Sequence, residues 1–237
     1  MKYLEESWIA GGENSLSQHV LVVLAHPDDE TFGCGGTIAL FSQSGTPVTY
    51  VCATLGQMGR NMGNPFFATR ESLPHVREAE LEEACQILGI KHLIKLGLRD
   101  KMIEFEEPEA LISRITQIIR EVKPSLVFTH YPGYAVHPDH NAIGELTIKA
   151  ISRLSHDERP VVYAHGFARM CQDVLGPPDI VNDISGVKEV KLAAIRAHKS
   201  QSQLMFGRLE KGQFQEGKNP QIARSLQQES FWAYQIE

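Results

Sequence analysis

The chain has 237 residues, 42% of them hydrophobic and 22% charged, enough for one α/β domain with its own core. Its formal net charge of −6 disfavours a nucleic-acid binder working through a basic surface, although a few local arginines can still hold a small anionic substrate. Residues 1–18 carry Glu5, Glu6 and Glu13 and no long apolar run, and no stretch approaches about 18 apolar residues, so neither a signal peptide nor a membrane span is expected. Cys34, Cys52, Cys85 and Cys171 form no CxxC pair, which argues against a zinc knuckle or a thioredoxin-like motif and fits a reducing, cytoplasmic setting. Cys52 and Cys85 lie in apolar periodic segments and read as buried thiols; Cys34 lies beside the first polar motif and could approach it.

In chain order, HVLVVLA (19–25) is a short continuous apolar run rich in Val, the pattern of a parallel strand buried on both faces. Residues 35–44 read as a helix ending at Gly45, and VTYVCA (48–53) as a second strand. Residues 74–88 place Val76, Leu81, Ala84, Ile87 and Leu88 on one face of a helix closed by Gly89. A third strand is expected over 92–96, a helix over 108–122 that Pro124 ends, and a fourth strand over 126–130 (LVFTH). A helix over 139–154 and a strand over 161–167 follow. Alternation at this spacing gives right-handed βαβ units and an α/β fold: a Rossmann-like, open, mostly parallel sheet with helices on both faces.

Residues 54–73 break the rhythm with Gly56, Gly59, Gly63, Asn61, Asn64 and Pro65. A connection of that length inside a compact domain is uncommon, and it reads as a rim or lid over a site. No internal repeat or second domain is evident. The expectation is a single domain over 1–237, with an N-terminal extension (1–18) and a tail (200–237) whose Phe231, Trp232 and Tyr234 dock it on the body.

Ligands bind in such sheets at the carboxyl ends of the strands, and two polar clusters fall there. His26-Pro27-Asp28-Asp29-Glu30 follows the first strand, and His137-Pro138-Asp139-His140 follows the fourth. Carboxylates this crowded repel one another unless a positive group sits among them. One cluster alone could be an acidic helix N-terminus. Two of them on two strand ends point instead to a divalent cation. His26 and Asp29 can face one point, one of His137 and His140 can supply a third ligand, and the fourth position stays open for water, the catalytic zinc pattern. Iron, manganese or cobalt could substitute. Asp28, between two ligands, can stay off the metal.

These motifs resemble the LmbE-like, or PIG-L-like, metal-dependent N-acetylglucosamine deacetylases. The resemblance runs from about residue 19 to 201 and rests on AHPDDE (25–30), VREAELEEACQILG (76–89), LGLRD (96–100), HPDH (137–140) and AHKSQ (197–201). Within that family, TLGQMGRNMGNPFFATRESL (54–73) and YPGYAVHPDH (131–140) look like the bacillithiol-pathway deacetylases, which act on N-acetylglucosaminyl-L-malate. The resemblance implies His26, Asp29 and His140 as zinc ligands, Asp28 as general base, and His137 as oxyanion stabiliser and possible acid. It also implies substrate contacts at Arg77, Asp100 and Tyr134, and a trimeric or hexameric homo-oligomer. Malate brings two carboxylates, so Arg60, Arg70 and Arg77 are its candidate partners. Asp139, next to His140, is a natural partner for a ligand imidazole.

Three other readings stand beside this one. The same chemistry could serve a chitooligosaccharide or a thiol-sugar conjugate. A non-catalytic nucleotide-binding module would need a GxGxxG that residues 33–38 do not complete and an acidic end to the second strand. A GxSxG serine-hydrolase elbow is missing.

Overall fold

The computed structural model describes residues 19–168, 170–203 and 224–236. The extension at 1–18 and residues 204–223 of the tail lie outside the described residues. Seven strands form one sheet: β1 (Val20–Leu24), β2 (Val48–Thr54), β3 (His92–Leu98), β4 (Leu126–His130), β5 (Val161–His165), β6 (Ile180–Asp183) and β7 (Gln228–Ala233). Their order is β3-β2-β1-β4-β5-β7-β6. The first five are parallel, and β7 pairs antiparallel with both β5 and β6.

β1 is buried on both faces, and its alternation divides the core. Val20, Val22 and Leu24 pack on one side with Tyr50, Phe128 and Phe231. Leu21, Val23 and Ala25 pack on the other with Ile112, Ile115 and Ile143. The first core is covered by helices α1 (Asp29–Gln43), α2 (Leu73–Leu88) and α6 (Lys188–Ala197), and the second by α3 (Pro108–Val122) and α4 (Pro138–Ser152). A short helix, α5 (Cys171–Leu175), precedes β6. Among the described residues, no helix is long and apolar enough to cross a membrane. All four cysteines are buried and unpaired, Cys34 included; burial pushes its thiol well up, so it packs rather than reacts.

Two differences from the expected elements matter for the site. α1 begins at Asp29, inside the polar motif, and breaks at Cys34, whose φ of −146° is not helical. The restarted helix needs acceptors for its first N–H groups. Glu229 of β7 supplies them, accepting from Gly36 at 2.9 Å and Thr37 at 2.7 Å while pairing with the buried Lys191 ammonium at 2.6 Å. The second difference is the tail, where the aromatic run enters the sheet as β7, with Phe231 and Trp232 buried.

Strand order reverses direction between β1 and β4, which pair directly with Val23 opposite Thr129. That switch point opens a crevice at the carboxyl ends, and the turns leaving both strands carry the two polar motifs.

Candidate metal and catalytic centre

The turn after β1 places Asp28 at φ 89° and ψ −25°, a left-handed conformation unusual for a residue with a Cβ. Its carbonyl accepts from Thr31 and Phe32 and starts α1, but its carboxylate does not cap the helix. The side chain is thus left for other work. Asp29, the first residue of α1, is oriented differently, and its Oδ2 accepts from the His26 amide at 2.8 Å.

Three side chains then meet across the switch point. His26 Nδ1 lies 3.1 Å from His140 Nε2 and 3.5 Å from Asp29 Oδ2, and His140 Nε2 lies 3.2 Å from Asp29 Oδ1. The far nitrogens of both rings face outward onto acceptors. His26 Nε2 donates to Asp100 Oδ1 at 3.2 Å or Asp139 Oδ2 at 3.1 Å, and His140 Nδ1 donates to the Ala135 carbonyl at 3.1 Å. With those protons turned outward, the inward nitrogens present lone pairs to each other and to a carboxylate. Such a set suits a divalent cation of the zinc type.

Electrostatics follow the geometry. Burial disfavours the imidazolium of His26, yet Asp100, Asp139 and Asp29 together raise it well above the usual histidine range. Burial likewise opposes ionised Asp29, yet His140, His130 and His26 hold its carboxyl well below the usual range. Asp100 works against burial too, held at about 2 by His26 and the Met58 amide.

Other histidines approach the same point. His26, His137 and His140 offer ring nitrogens within 4.8 Å of one another, as do Asp29, His130 and His140 with their donor atoms. His137 caps α4, its Nδ1 accepting from the Asp139 amide at 3.2 Å. The ring proton of neutral His137 therefore sits on Nε2, and burial with the neighbouring His26 and His140 keeps the ring's pKa low. His130 stacks on His140 with ring centroids 4.0 Å apart, and its Nε2 lies 3.3 Å from Asp29 Oδ2. Burial lowers its pKa to about 4, so it is a neutral ring bracing Asp29. It ends the run LVFTH, and a histidine closing a buried strand beside a metal motif was the signal for it.

Asp28 stands beside this cluster. Burial is the main cause raising its carboxyl to about 6, with Arg77 pulling the other way. The Arg77 guanidinium lies 3.2 Å from Asp28 Oδ2 and also donates to the carbonyls of Pro27 and Gly56. Arg77 is 4% exposed and pairs with Asp28, rather than standing on the open face where a substrate contact was expected. Asp100 is likewise turned to His26 and to the Met58 amide, which it binds at 2.7 Å. Asp139, expected beside His140, reaches His26 instead and takes the Lys101 amide at 2.6 Å.

The remaining expected residues are not gathered at this centre. Tyr134 stacks edge-on against Tyr131, and its carbonyl takes the amides of Phe167 and Ala168. Arg70 is exposed and braces the 54–73 segment through the carbonyls of Gln57 and Gly59. Arg60 is exposed on the same segment. That segment is tied to the site by Met58 and to the strap 198–203, where Asn61 and Gln201 exchange amide hydrogen bonds at 3.4 and 3.1 Å.

An open α/β sheet with two imidazoles and a carboxylate converging at the switch point, and a second aspartate held by an arginine, is the frame of a metal-dependent hydrolase. The PIG-L profile, described as GlcNAc-PI de-N-acetylase, matches residues 21–151, and the chain belongs to this family of metal-dependent N-deacetylases. It is 48% identical to the Probable N-acetyl-alpha-D-glucosaminyl L-malate deacetylase 2 of Bacillus cereus, covering 94% of this chain and 100% of that one. The Bacillus subtilis protein of the same name is 47% identical, over 93% of this chain and 99% of its own. Among solved structures, the N,N'-diacetylchitobiose deacetylase of Pyrococcus horikoshii, complexed with its inhibitor MPG, superposes with a TM-score of 0.67 at 26% identity, over 92% of this chain and 84% of that one.

Proposed function

We propose that the chain hydrolyses the acetamide of N-acetyl-α-D-glucosaminyl L-malate to the free amine and acetate, using zinc held by His26, Asp29 and His140. The observation that carries this is the convergence of those three side chains within 3.1–3.5 Å, next to the Asp28 carboxylate in sequence, which none of them uses. The two Bacillus relatives, matched over nearly their whole length, point to the malate glycoside.

When bound, a zinc-type cation supplies Lewis acidity to the acetyl carbonyl and to the water that attacks it. Asp28 accepts the proton of that water, a task suited to a carboxyl raised to about 6. His137, neutral with its proton on Nε2, donates a hydrogen bond to the oxygen that becomes negative as the carbonyl carbon turns tetrahedral. The C–N bond then breaks, and the leaving nitrogen takes back the proton held by Asp28. A neutral His137 with a lowered pKa is a poorer source of that proton. Arg60 and Arg70, exposed on the 54–73 segment, are the proposed partners of the malate carboxylates, whereas Arg77 pairs with Asp28.

The buried, unpaired cysteines support the cytoplasmic setting. The trimer or hexamer implied by the resemblance belongs to the same proposal and is read by light scattering. The decisive experiment supplies purified protein with the malate glycoside, methyl N-acetylglucosaminide and N,N'-diacetylchitobiose, and scores released amine. Preference for the malate conjugate is expected. Preference for diacetylchitobiose would transfer the assignment to the reading that the Pyrococcus neighbour favours.

A further inference from the structure

The left-handed turn at Asp28 has a support that the reaction so far leaves unused. The carboxylate of Glu30 is fully buried and divides its two oxygens. Oε2 accepts the Asp28 amide at 3.0 Å, and Oε1 accepts from Nε2 of His198 at 2.7 Å. His198 is fully buried too, at the C-terminal end of α6, and its Nδ1 has no hydrogen-bond partner. The ring therefore spends its one strong polar contact on Glu30. Were the position only filling space, an apolar side chain would serve as well, without a buried imidazole and carboxylate to solvate.

The strap that begins at His198 is itself anchored. The Ser200 amide and hydroxyl donate to Glu80 at 2.6 and 2.7 Å, and Glu80 lies one helical turn from Arg77 on α2. The base is thus gripped twice: Arg77 takes its carboxylate, and the Glu30–His198 pair takes its backbone. A residue in the left-handed region returns to ordinary φ unless its surroundings hold it. For Asp28 that return would swing the carboxylate off the Arg77 guanidinium that now holds it.

We propose that His198 is a positioning residue for the hydrolysis, holding Asp28 in its left-handed turn through Glu30. This rests on the reading of Asp28 as the base.

The test uses the full-length, metal-loaded protein and the variants His198→Leu, His198→Gln and Asp28→Asn, singly and with each His198 change combined with Asp28→Asn. His198→Leu is expected to lower kcat by about 10–100-fold, the range for partners that orient catalytic groups, with KM and metal content held. His198→Gln, which keeps a donor in reach of Glu30, is expected to restore most of kcat. On the Asp28→Asn background, His198→Leu should cost less than about twofold, because groups that act as a unit are not additive. Hydrogen exchange of the Asp28 amide, followed with and without metal, should quicken by about tenfold or more in His198→Leu and not in His198→Gln.

An equal loss on both backgrounds, an unchanged kcat, or an Asp28 amide as protected as before would overturn the proposal. If His198→Leu does not fold, His198→Asn, too short to reach Glu30, takes its place in every arm. Full activity of Asp28→Asn alone would instead remove the base reading, and the two failures are thereby told apart.

Discussion

Arg77→Met keeps most of the buried stem and removes the charge, two hydrogen bonds, to Gly56 and Pro27, and the ion pair with Asp28. At 3.2 Å and an effective dielectric of about 20, the gross attraction between guanidinium and Asp28 carboxylate is about 5 kcal/mol. Part of that is repaid when water reaches the carboxylate, whose side chain is 21% exposed. Breaking a buried pair costs about 3–5 kcal/mol, and the low end is expected here. Arg77 favours the anionic form of Asp28, so its loss raises the pKa of the base further, and the acid limb of kcat/KM moves to higher pH. On the proposed reading this loss falls on Asp28, a group that both kinds of substrate need equally. The assay is kcat/KM against pH for the malate glycoside and for neutral methyl N-acetylglucosaminide. Both should fall by the same factor, their ratio holding within about threefold. A loss of about tenfold or more confined to the malate substrate would refute the placement and return Arg77 to carboxylate recognition.

Asp28→Asn should keep about one metal per chain and lose about 10²–10⁴-fold in kcat, whereas Asp29→Asn should lose the metal. The reverse pattern, read by elemental analysis, would exchange the two roles. Chelation should abolish activity and lower Tm, and zinc or cobalt should restore both, since a ligand that binds only the native state stabilises it; full activity of metal-free protein would end the metal reading. Burial holds His165 at about 3, below its unfolded value near 6.5. A depressed histidine contributes stability that is complete above pH 6.5 and is lost as pH falls towards 3, by at most about 2 kcal/mol at pH 5. Denaturant titrations of His165→Asn should therefore show a shallower loss between pH 7 and 5 than the parent, and an unchanged slope would contradict the burial.

Much of this arrangement was legible where local and global signals agree. α3 matches its expected span because Ile and Leu recur on one face, Pro108 opens the helix, and Pro124 forbids its continuation. The grouping of His26, Asp29 and His140 was legible because two polar motifs each follow a buried strand. The start of α1 at Asp29 was not, since the polar motif and Gly33 mask its first turn, and only the part after Cys34 matches the expected 35–44. β6 and β7 escaped notice because buried Asn182 and Glu229 interrupt any apolar run. Within the site, residue type told which groups belong, but not which way they face. Asp139 serves His26 rather than His140, and Arg77 serves Asp28 rather than the ligand side. Contacts as distant in sequence as Glu30 with His198 leave no local trace.

The position of β7 also dictates an order of assembly. It lies between β5 and β6 yet follows both in the chain, so β6 has no strand to pair with until β7 is in place. During synthesis, the five parallel strands with their metal motifs can collapse first, leaving one side of β5 exposed as an unpaired edge. The long separation between β5 and β7 makes that closing step slow. Until it happens, the restarted half of α1 lacks its Glu229 acceptor and Lys191 its counter-charge. A nascent chain stalled before Gln228 would then carry every group of the metal centre on a scaffold still open to edge-to-edge association with its neighbours.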